Sequence, residues 1–529
     1  MLESYQVEHN SQNIYFRSIV GAAEAGSRMR LGLQLRTGEP VRQVLLRLWQ
    51  DQAGEQLVTL VSHDANAAQR FYTAWIELPD HGCLLWYYFI ITMESGTYFY
   101  GNNAEMLGGV GALYREQPPS YQVTIYNRGA HTPDWFKNSV MYQIFPDRFA
   151  RAGDTIVRKK GAVIRTDWTD DPMYLKDPDT KEIIAYDFFG GNLRGVMEKL
   201  DYLEKLGISC IYFNPVFESE SNHHYDTGDY HRIDPMLGDI EDFRRLVAAA
   251  RERGIRIILD GVFSHTGSNS IYFNRRKQYD SIGAYQSKES PYYSWYHFRN
   301  FPNEYDCWWN FDTLPNVNET DPSYMDFIIT GEDSVLHHWM NEGIAGWRLD
   351  VIDELPPTFS KTFFAELKKR SPDAVMIGEV WEDASNKVAY GTPREYLSGN
   401  EMDSAMNYPL RSTILDFLTG AADGALTVRR MASQIENYPK ENLYAMMNLI
   451  SSHDVQRAIT ILGDVPYYEG MPAIEQSRVR MTLDQAMLGI RRLIMATLWQ
   501  MTYPGVPSVY YGDEIGMQGF KDPFNRRPY

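Results

Sequence analysis

Cysteine is scarce in this chain of 529 residues, which has only Cys83, Cys210 and Cys307. These three lie far apart, are odd in number and form no metal-ligand spacing, so we expect reduced thiols in a cytoplasmic protein. The first residues are polar and acidic, without a basic segment followed by an apolar run, and therefore predict no signal peptide. No apolar stretch approaches membrane-spanning length.

Basic residues are also fewer than acidic ones. The 51 Lys and Arg against 69 Asp and Glu give a formal net charge of −18. This balance argues against nucleic acid or an anionic membrane as a partner, and it is no obstacle to a neutral substrate. Aromatic residues are abundant instead, at 14% with 12 Trp and 36 Tyr. Such flat rings can pack in a core or stack on sugar faces.

Residues 1–126 carry the alternating pattern of short β-strands. Met29, Leu31, Leu33 and Leu35 alternate with small or polar residues, which is the period of two expected of a half-buried strand. Further strand candidates follow between Gly, Asp and Asn turns, at 44–49, 71–78, 84–93 and 121–126. Strands at this spacing predict an N-terminal β-sandwich, with Trp75 and Trp86 packed in the core rather than binding glycan.

From residue 127 to 529 the pattern changes to alternating strands and helices. Strands are predicted at 140–145, 208–214, 255–263, 344–351, 374–380, 402–407, 446–452 and 506–511. The clearest helices are predicted at 193–206, 240–253, 359–369 and 483–501. Eight strands in this order favour an α/β fold of the (β/α)8 barrel type, and a doubly wound sheet is the second choice. Residues 266–322, rich in Tyr, Trp, Asn and Ser, predict a subdomain inserted after the third strand.

Four of the predicted strands end in groups that can do chemistry. The third ends with Asp260 to His265, the fourth with Arg348 and Asp350, the fifth with Glu379, and the seventh with His453 and Asp454. Catalytic groups of a parallel barrel collect at the carboxyl ends of its strands, so these ends predict one shared site. Arg348 and Asp350 point the same way along their strand, and we expect the guanidinium to depress the pKa of Asp350.

Two chemistries suit this rim. His265, His453 and the carboxylates could hold a metal ion for hydrolysis. Alternatively, an ionised carboxylate and a protonated one could cleave a glycosidic bond between them. The abundant aromatic residues and the absence of a His-rich ligand motif favour the second.

The four strand ends resemble, in order and spacing, the conserved regions of the α-amylase superfamily of glycoside hydrolases. The resemblance covers nearly all of the chain after residue 135, including Tyr142-Gln143 and His224-Tyr225-Asp226. A finer resemblance is to neopullulanases, cyclomaltodextrinases and amylopullulanases. It is carried by Tyr15-Phe16-Arg17-Ser18 with Gly26, Leu314-Pro315-Asn316-Val317-Asn318, Gly378-Glu379-Val380-Trp381, and the stretch that continues to Lys387.

The resemblance implies roles for individual residues. Asp350 would be the nucleophile, Glu379 the general acid/base, and Asp454 the carboxylate that distorts and stabilises the sugar. Arg348 would orient the nucleophile, Asp260 would support the site, and Tyr225 would stack on the sugar. The residues that would hydrogen-bond or otherwise contact sugar are His265, His453, Asp522 and Arg526. Such enzymes retain anomeric configuration. We expect the anions Asp350 and Asp454 to keep Glu379 protonated.

Two features depart from the family pattern. Asp353-Glu354 stand where typical α-amylases carry Lys-His, which speaks against ordinary α-amylase specificity and the usual calcium ligation there. No cofactor is required, although some relatives bind calcium in the loop that holds Asp154. The sequence stops at Tyr529 before the eighth helix and C-terminal β-domain of relatives, so we expect a fragment with an exposed apolar flank.

The sequence thus predicts a retaining α-glucan hydrolase. Its substrates would be maltodextrins, pullulan or cyclodextrins, cleaved at α-1,4 bonds, with α-1,6 cleavage left open. The alternatives are a non-catalytic glucan-binding protein on the same fold and a transglycosylase. Relatives dimerise through the N-terminal module, which suggests a homodimer.

Overall fold

The computed structural model describes residues 2–66, 69–153, 159, 162–173, 175–176 and 183–529. Asp154, the residue of the expected calcium loop, lies outside these residues. The chain forms two compact units. The first comprises Met1–His131, Glu382–Asp403 and Gly420–Tyr444, and the second comprises Thr132–Trp381, Ser404–Thr419 and Ala445–Tyr529.

Two β-sheets form most of the first unit. One has the strand order Val7–Glu8, Arg28–Arg36, Gln69–Glu77, Val61–Asn66. The other runs Ala112–Tyr114, Gly96–Gly101, Cys83–Met93, Tyr121–Tyr126, Ala23–Glu24, with Val41–Gln50 pairing both Cys83–Met93 and Gly54–Thr59. Apolar side chains of both sheets share one core, in which Leu31, Leu33, Phe89, Ile91 and Val123 are fully buried. The N-terminal sheet domain is therefore confirmed.

The remaining elements of the first unit are short. They are the 3-10 helix Ser4–Gln6, the hairpin strands Val388–Ala389 and Thr392–Pro393, and the helices Gly424–Asn437 and Lys440–Ala445. Asp423 caps the longer helix because its side chain accepts a hydrogen bond from the backbone N–H of Leu426.

Trp75 does not pack in the core as expected. Its neighbours Ala74 and Ile76 are buried, so the strand alternation puts Trp75 on the outer face, where it is 51% exposed. The Arg28 guanidinium lies 5.0 Å from the centre of its ring.

Eight parallel strands form the barrel of the second unit. In chain order they are Met141–Ile144, Cys210–Phe213, Arg256–Gly261, Gly346–Leu349, Val375–Gly378, Ser404–Ala405, Met447–Leu449 and Val506–Tyr510. Each of the first five strands pairs with the next in the sequence, and the eighth pairs with both the first and the seventh. A parallel bridge between Met406 and Met447 links the sixth strand to the seventh. This order confirms the barrel and rules out the doubly wound sheet.

Helices connect the barrel strands. Their bounds are Asp134–Lys137, Pro146–Phe149, Leu193–Glu198, Leu200–Lys205, Ile240–Glu252, Pro322–Met325, Val335–Asn341, Pro357–Arg370, Tyr408–Thr419, Ala458–Leu462, Ala473–Arg478 and Leu483–Thr502, with a π-helical turn at Asp326–Thr330. The four predicted helices are present, although the first breaks into two at Lys199. Short strands accompany them at Ala162–Ile164, Leu175–Lys176, Ile183–Phe188, Phe217–Ser219 and Thr227–Ile233.

The long excursion after the third strand has little regular structure. It contains the hairpin Phe298–Asn300 with Glu304–Tyr305, and 3-10 turns at Tyr293–Trp295 and Trp308–Asn310. An antiparallel bridge between Asn316 and His265 and a hydrogen bond from Val317 N to Ser264 O (3.1 Å) tie it to the barrel rim.

The helix Leu483–Thr502 exposes apolar side chains along one stripe. Leu483, Ile494 and Leu498 are 76%, 65% and 65% exposed. Apolar area therefore lies exposed on this side of the barrel. Across the described part of the chain, none of the helices has the length and low polarity needed to cross a bilayer.

Candidate active site

The ten predicted site residues come together at the carboxyl ends of the barrel strands. A cavity of about 790 Å³ opens there, lined among others by Tyr225, His265, Asp350, Glu379, His453, Asp454, Asp522 and Arg526. The other two are buried beneath the cavity: Arg348 contacts the lining carboxylate of Asp350, and Asp260 contacts Arg348 and the lining Tyr225. Strand register explains the arrangement, because Asp260 and Arg348 are paired neighbours and Asp350 follows on the same face.

Arg348 contacts three carboxylates of the site. Its Nη1 lies 2.9 Å from Asp260 Oδ1 and 2.7 Å from Asp350 Oδ1. Its Nη2 lies 2.8 Å from Glu379 Oε2. One planar cation thus fixes three carboxylates from neighbouring strands, which a lysine ammonium cannot do with the same geometry.

Glu379 is held by two further donors. The backbone N–H of Val351 donates to Oε2 at 2.9 Å, and the Trp381 indole N–H donates to Oε1 at 3.1 Å. Val351 has a φ of +36°, which is uncommon for a β-branched residue. This strained conformation directs the Val351 N–H towards Glu379, and backbone strain of this kind is concentrated at functional sites.

The electrostatics of Asp350 differ from the expectation. Burial raises the pKa of Asp350 well above its usual value, and Arg348 opposes that shift without reversing it. The neighbouring carboxylates Glu379 and Asp260 raise the pKa of Asp350 further. The prediction that Arg348 leaves this pKa depressed is therefore wrong for the site without substrate, because desolvation and like charges outweigh one guanidinium.

Asp454 is the second perturbed carboxyl group. Burial and the nearby Glu379 raise the pKa of Asp454 to about 7, against the opposing charges of Arg526 and Arg348. Its Oδ1 lies 3.7 Å from Arg526 Nη2, and Arg526 Nη1 lies 2.9 Å from Asp522 Oδ1. Arg526 also donates from Nε to the backbone oxygen of His453 at 3.0 Å. The last motif of the sequence is thereby bound to the end of the seventh strand.

Tyr225 and His453 form a parallel pair of rings beside the carboxylates. Their centroids are 5.4 Å apart and their planes differ by 5°. The Tyr225 hydroxyl lies 2.6 Å from His453 Nε2 and 2.9 Å from Asp260 Oδ2. Gln143 Nε2 lies 2.9 Å from His453 Nδ1. Burial lowers the pKa of His453 well below its usual value, so the ring is neutral at pH 7.

His265 already contacts protein atoms through both ring nitrogens. Its Nε2 lies 3.1 Å from the backbone oxygen of Tyr225, and its Nδ1 lies 3.0 Å from Ser264 Oγ. Burial lowers the pKa of His265 to about 4. A hydrogen bond from this neutral ring to a sugar would therefore replace one of these contacts.

The metal alternative gains no support from the geometry of the donors. His265 and His453 both contact Tyr225 instead of converging on one point. Among the residues described here, no group of three or more His, Cys, Asp or Glu side chains is arranged to hold a metal ion.

Besides Tyr225, further aromatic residues of the cavity were not among the predicted site residues. Trp308, Trp309, Phe311 and Trp381 line it, and Trp309 is 73% exposed. The Trp309 indole donates to Glu354 Oε1 at 3.1 Å, which gives the unusual Glu354 a contact beside the site. Three of these four aromatic residues lie in the aromatic-rich stretch 266–322, whose composition was the only sequence signal for these rings. Composition alone does not show which rings face a cavity.

The eight parallel strands with their connecting helices place the chain in the (β/α)8 class, whose active sites lie at the carboxyl ends of the strands. Residues 143–527 match the family described as alpha amylase, catalytic domain. The chain belongs to the alpha-amylase family, so the predicted resemblance is confirmed.

Named relatives support the finer resemblance. The chain is 36% identical over 572 residues to an amylopullulanase of Thermoanaerobacter thermohydrosulfuricus, covering 99% of the chain but only 37% of that protein. It is 33% identical over 519 residues to neopullulanase 2 of Thermoactinomyces vulgaris, covering 95% and 77% of the two chains. The solved type III pullulan hydrolase from Thermococcus kodakarensis superposes with a TM-score of 0.61 at 26% identity, over 99% of this chain and 84% of that one.

Proposed function

We propose that the protein is a retaining α-glucan hydrolase. One observation carries the proposal: Asp350, Glu379 and Asp454 line a single cavity, and Arg348 contacts the first two of these carboxylates. Cleavage with retention needs a nucleophilic carboxylate and a separate acid on the same bond. The family match and the pullulan-related names of the relatives support this assignment.

In the first step, Asp350 attacks the anomeric carbon of the sugar. Because Arg348 Nη1 donates to Asp350 Oδ1, we assign the attack to Oδ2. Glu379 gives its proton to the glycosidic oxygen as the bond from that oxygen to the anomeric carbon breaks. In the second step, Glu379 takes a proton from water, and the water oxygen displaces Asp350.

Asp454 and its neighbours act on the sugar itself. With a pKa near 7, Asp454 can accept a hydrogen bond from a sugar hydroxyl as an anion or donate one as an acid. The parallel rings of Tyr225 and His453 offer one flat surface to the same sugar. Asp522 and Arg526 complete this side of the cavity.

Replacing the nucleophile tests the proposal. We expect Asp350→Asn to lower kcat on maltodextrin by a factor of about 10³ or more, because an amide cannot form the glycosyl intermediate. Asp201→Asn is the matched control, since Asp201 is an exposed partner of Arg253 outside the cavity. Unchanged hydrolysis by Asp350→Asn would refute the proposed function.

Maltodextrins, pullulan and cyclodextrins are the proposed substrates, and their bonds can be assigned from the products. Panose released from pullulan means α-1,4 cleavage, whereas maltotriose means α-1,6 cleavage. Binding of maltodextrin without any cleavage would instead favour the non-catalytic alternative.

Transglycosylation is the second candidate activity. Trp309 and Trp381 expose indole faces at the cavity, and such faces can hold a sugar that competes with water for the intermediate. Incubation with a high concentration of maltotriose, which then serves as both donor and acceptor, would give products longer than the starting sugar if transfer occurs. Strictly shorter products would dismiss it.

A cytoplasmic location, a homodimer and calcium binding stay predictions, as does the lack of nucleic acid and membrane partners. The structure records Cys83, Cys210 and Cys307 as free thiols, which supports a reducing compartment. Sedimentation would measure the oligomeric state. Thermal unfolding with and without a chelator would report on calcium.

A further inference from the structure

The two oxygens of Glu379 have different surroundings. Oε2 forms an ion pair with Arg348 Nη2 at 2.8 Å and accepts a hydrogen bond from the Val351 backbone N–H at 2.9 Å. Oε1 receives the Trp381 indole N–H at 3.1 Å. The Glu379 side chain is only 6% exposed, so these donors define its orientation.

This asymmetry decides where a proton can reside on Glu379. Two donors that cannot accept a hydrogen bond face Oε2 and crowd out a proton there, whereas only one such donor faces Oε1. The proton used in catalysis therefore sits on Oε1. An indole N–H can still donate to Oε1 in either protonation state, through a remaining lone pair.

Trp381 is itself held in place. Its ring stacks on Tyr408, with centroids 4.1 Å apart and planes within 5°. Tyr408 is buried at the start of the helix Tyr408–Thr419, and its hydroxyl lies 3.3 Å from Ser452 Oγ at the end of the seventh strand. Trp381 also lines the cavity. The indole N–H is thus a preorganised donor beside the atom that transfers the proton.

We propose that Trp381 is a positioning residue for the general acid, whose indole N–H aims Glu379 Oε1 at the leaving oxygen. The inference rests on the proposed function, in which Glu379 protonates that oxygen. As the bond between the anomeric carbon and the oxygen breaks, its electron pair stays on the oxygen, the proton leaves Oε1, and Asp350 Oδ2 bonds to carbon. The new charge on Glu379 then strengthens the hydrogen bond from Trp381.

A change of leaving group separates loss of acid assistance from a uniform loss of activity, and a ring-conserving replacement limits any loss of sugar stacking. Trp381→Phe keeps a ring against Tyr408 but removes the N–H. Cleavage of maltotriose needs a protonated leaving oxygen, whereas α-maltosyl fluoride releases fluoride without an acid. We expect kcat/KM for maltotriose to fall roughly 10- to 100-fold relative to that for the fluoride, the range for a hydrogen bond to a charged group. Glu379→Gln should show the same imbalance, more strongly.

Trp309→Phe is the matched control. It removes another indole N–H at the same cavity, one that donates to Glu354 instead of Glu379. Because both replacements keep an aromatic ring for a sugar, we expect Trp309→Phe to change the ratio of kcat/KM for maltotriose to kcat/KM for the fluoride far less than Trp381→Phe does. The inference would be overturned if Trp381→Phe lowered kcat/KM equally for both substrates, or if it lowered neither. If the unmodified protein cleaves neither substrate, the proposed function fails instead, so the two failures are distinct.

Discussion

Replacing Arg17 with methionine removes a fully buried cation from the first unit. Arg17 Nη1 lies 2.9 Å from Glu436 Oε1, and the two side chains are 0% and 3% exposed. Arg17 also donates to the backbone oxygens of Ile19, Gly21 and Gln122 at 2.9, 2.7 and 3.1 Å. The substitution leaves these acceptors and a buried carboxylate without the cation.

The expected cost follows from those contacts. Glu436 keeps one hydrogen bond, from Gln12 Nε2 to Oε2 at 3.0 Å, which cannot replace a full positive charge. Breaking a buried ion pair by removing one partner costs about 3–5 kcal/mol of unfolding free energy. Adding Glu436→Leu to Arg17→Met removes the unpaired charge, so the double variant should recover part of that loss.

Urea unfolding followed by fluorescence would measure these changes. Arg36→Met is the control, because its ion pair with Glu8 is 52% and 42% exposed and should contribute at most about 1 kcal/mol. If Arg17→Met costs no more than Arg36→Met, the reasoning from burial is refuted.

Two further predictions concern the candidate site. Arg348→Lys should lower kcat on maltodextrin about 100-fold or more without unfolding the barrel, because an ammonium cannot hold Asp260, Asp350 and Glu379 with the same planar geometry. Steady-state kinetics would measure kcat, and circular dichroism would show whether the barrel stays folded. Near-normal activity would contradict this prediction. Asp454→Asn should abolish activity but stabilise the fold at alkaline pH. The folded-state pKa of Asp454 is about 7, above its unfolded value of 3.8, so the charged form costs stability progressively as pH rises from about 4 to 7. The melting temperature of Asp454→Asn relative to the unmodified protein should therefore rise from pH 5 to pH 8, and a constant difference would contradict the assignment.

The regular pattern of the sequence was enough to predict much of this architecture. Eight parallel strands buried in a barrel appear as short apolar runs, and each of the eight predicted runs contains a barrel strand. Because parallel strands present their carboxyl ends at one rim, the order of the motifs also brought Asp260, Asp350, Glu379 and Asp454 to a common place. Their chemical roles stay predictions until the substitutions are measured.

The information that could be read along the chain is therefore local: strand period, helix position and the residue types at strand ends. The tertiary structure alone decided which groups meet across long separations in the chain, such as Arg17 with Glu436 and Trp381 with Tyr408. It also decided the outer position of Trp75 and the raised pKa of Asp350. The physical reason is that burial and electrostatic fields sum over every neighbour in space, whereas a sequence pattern reports only neighbours along the chain.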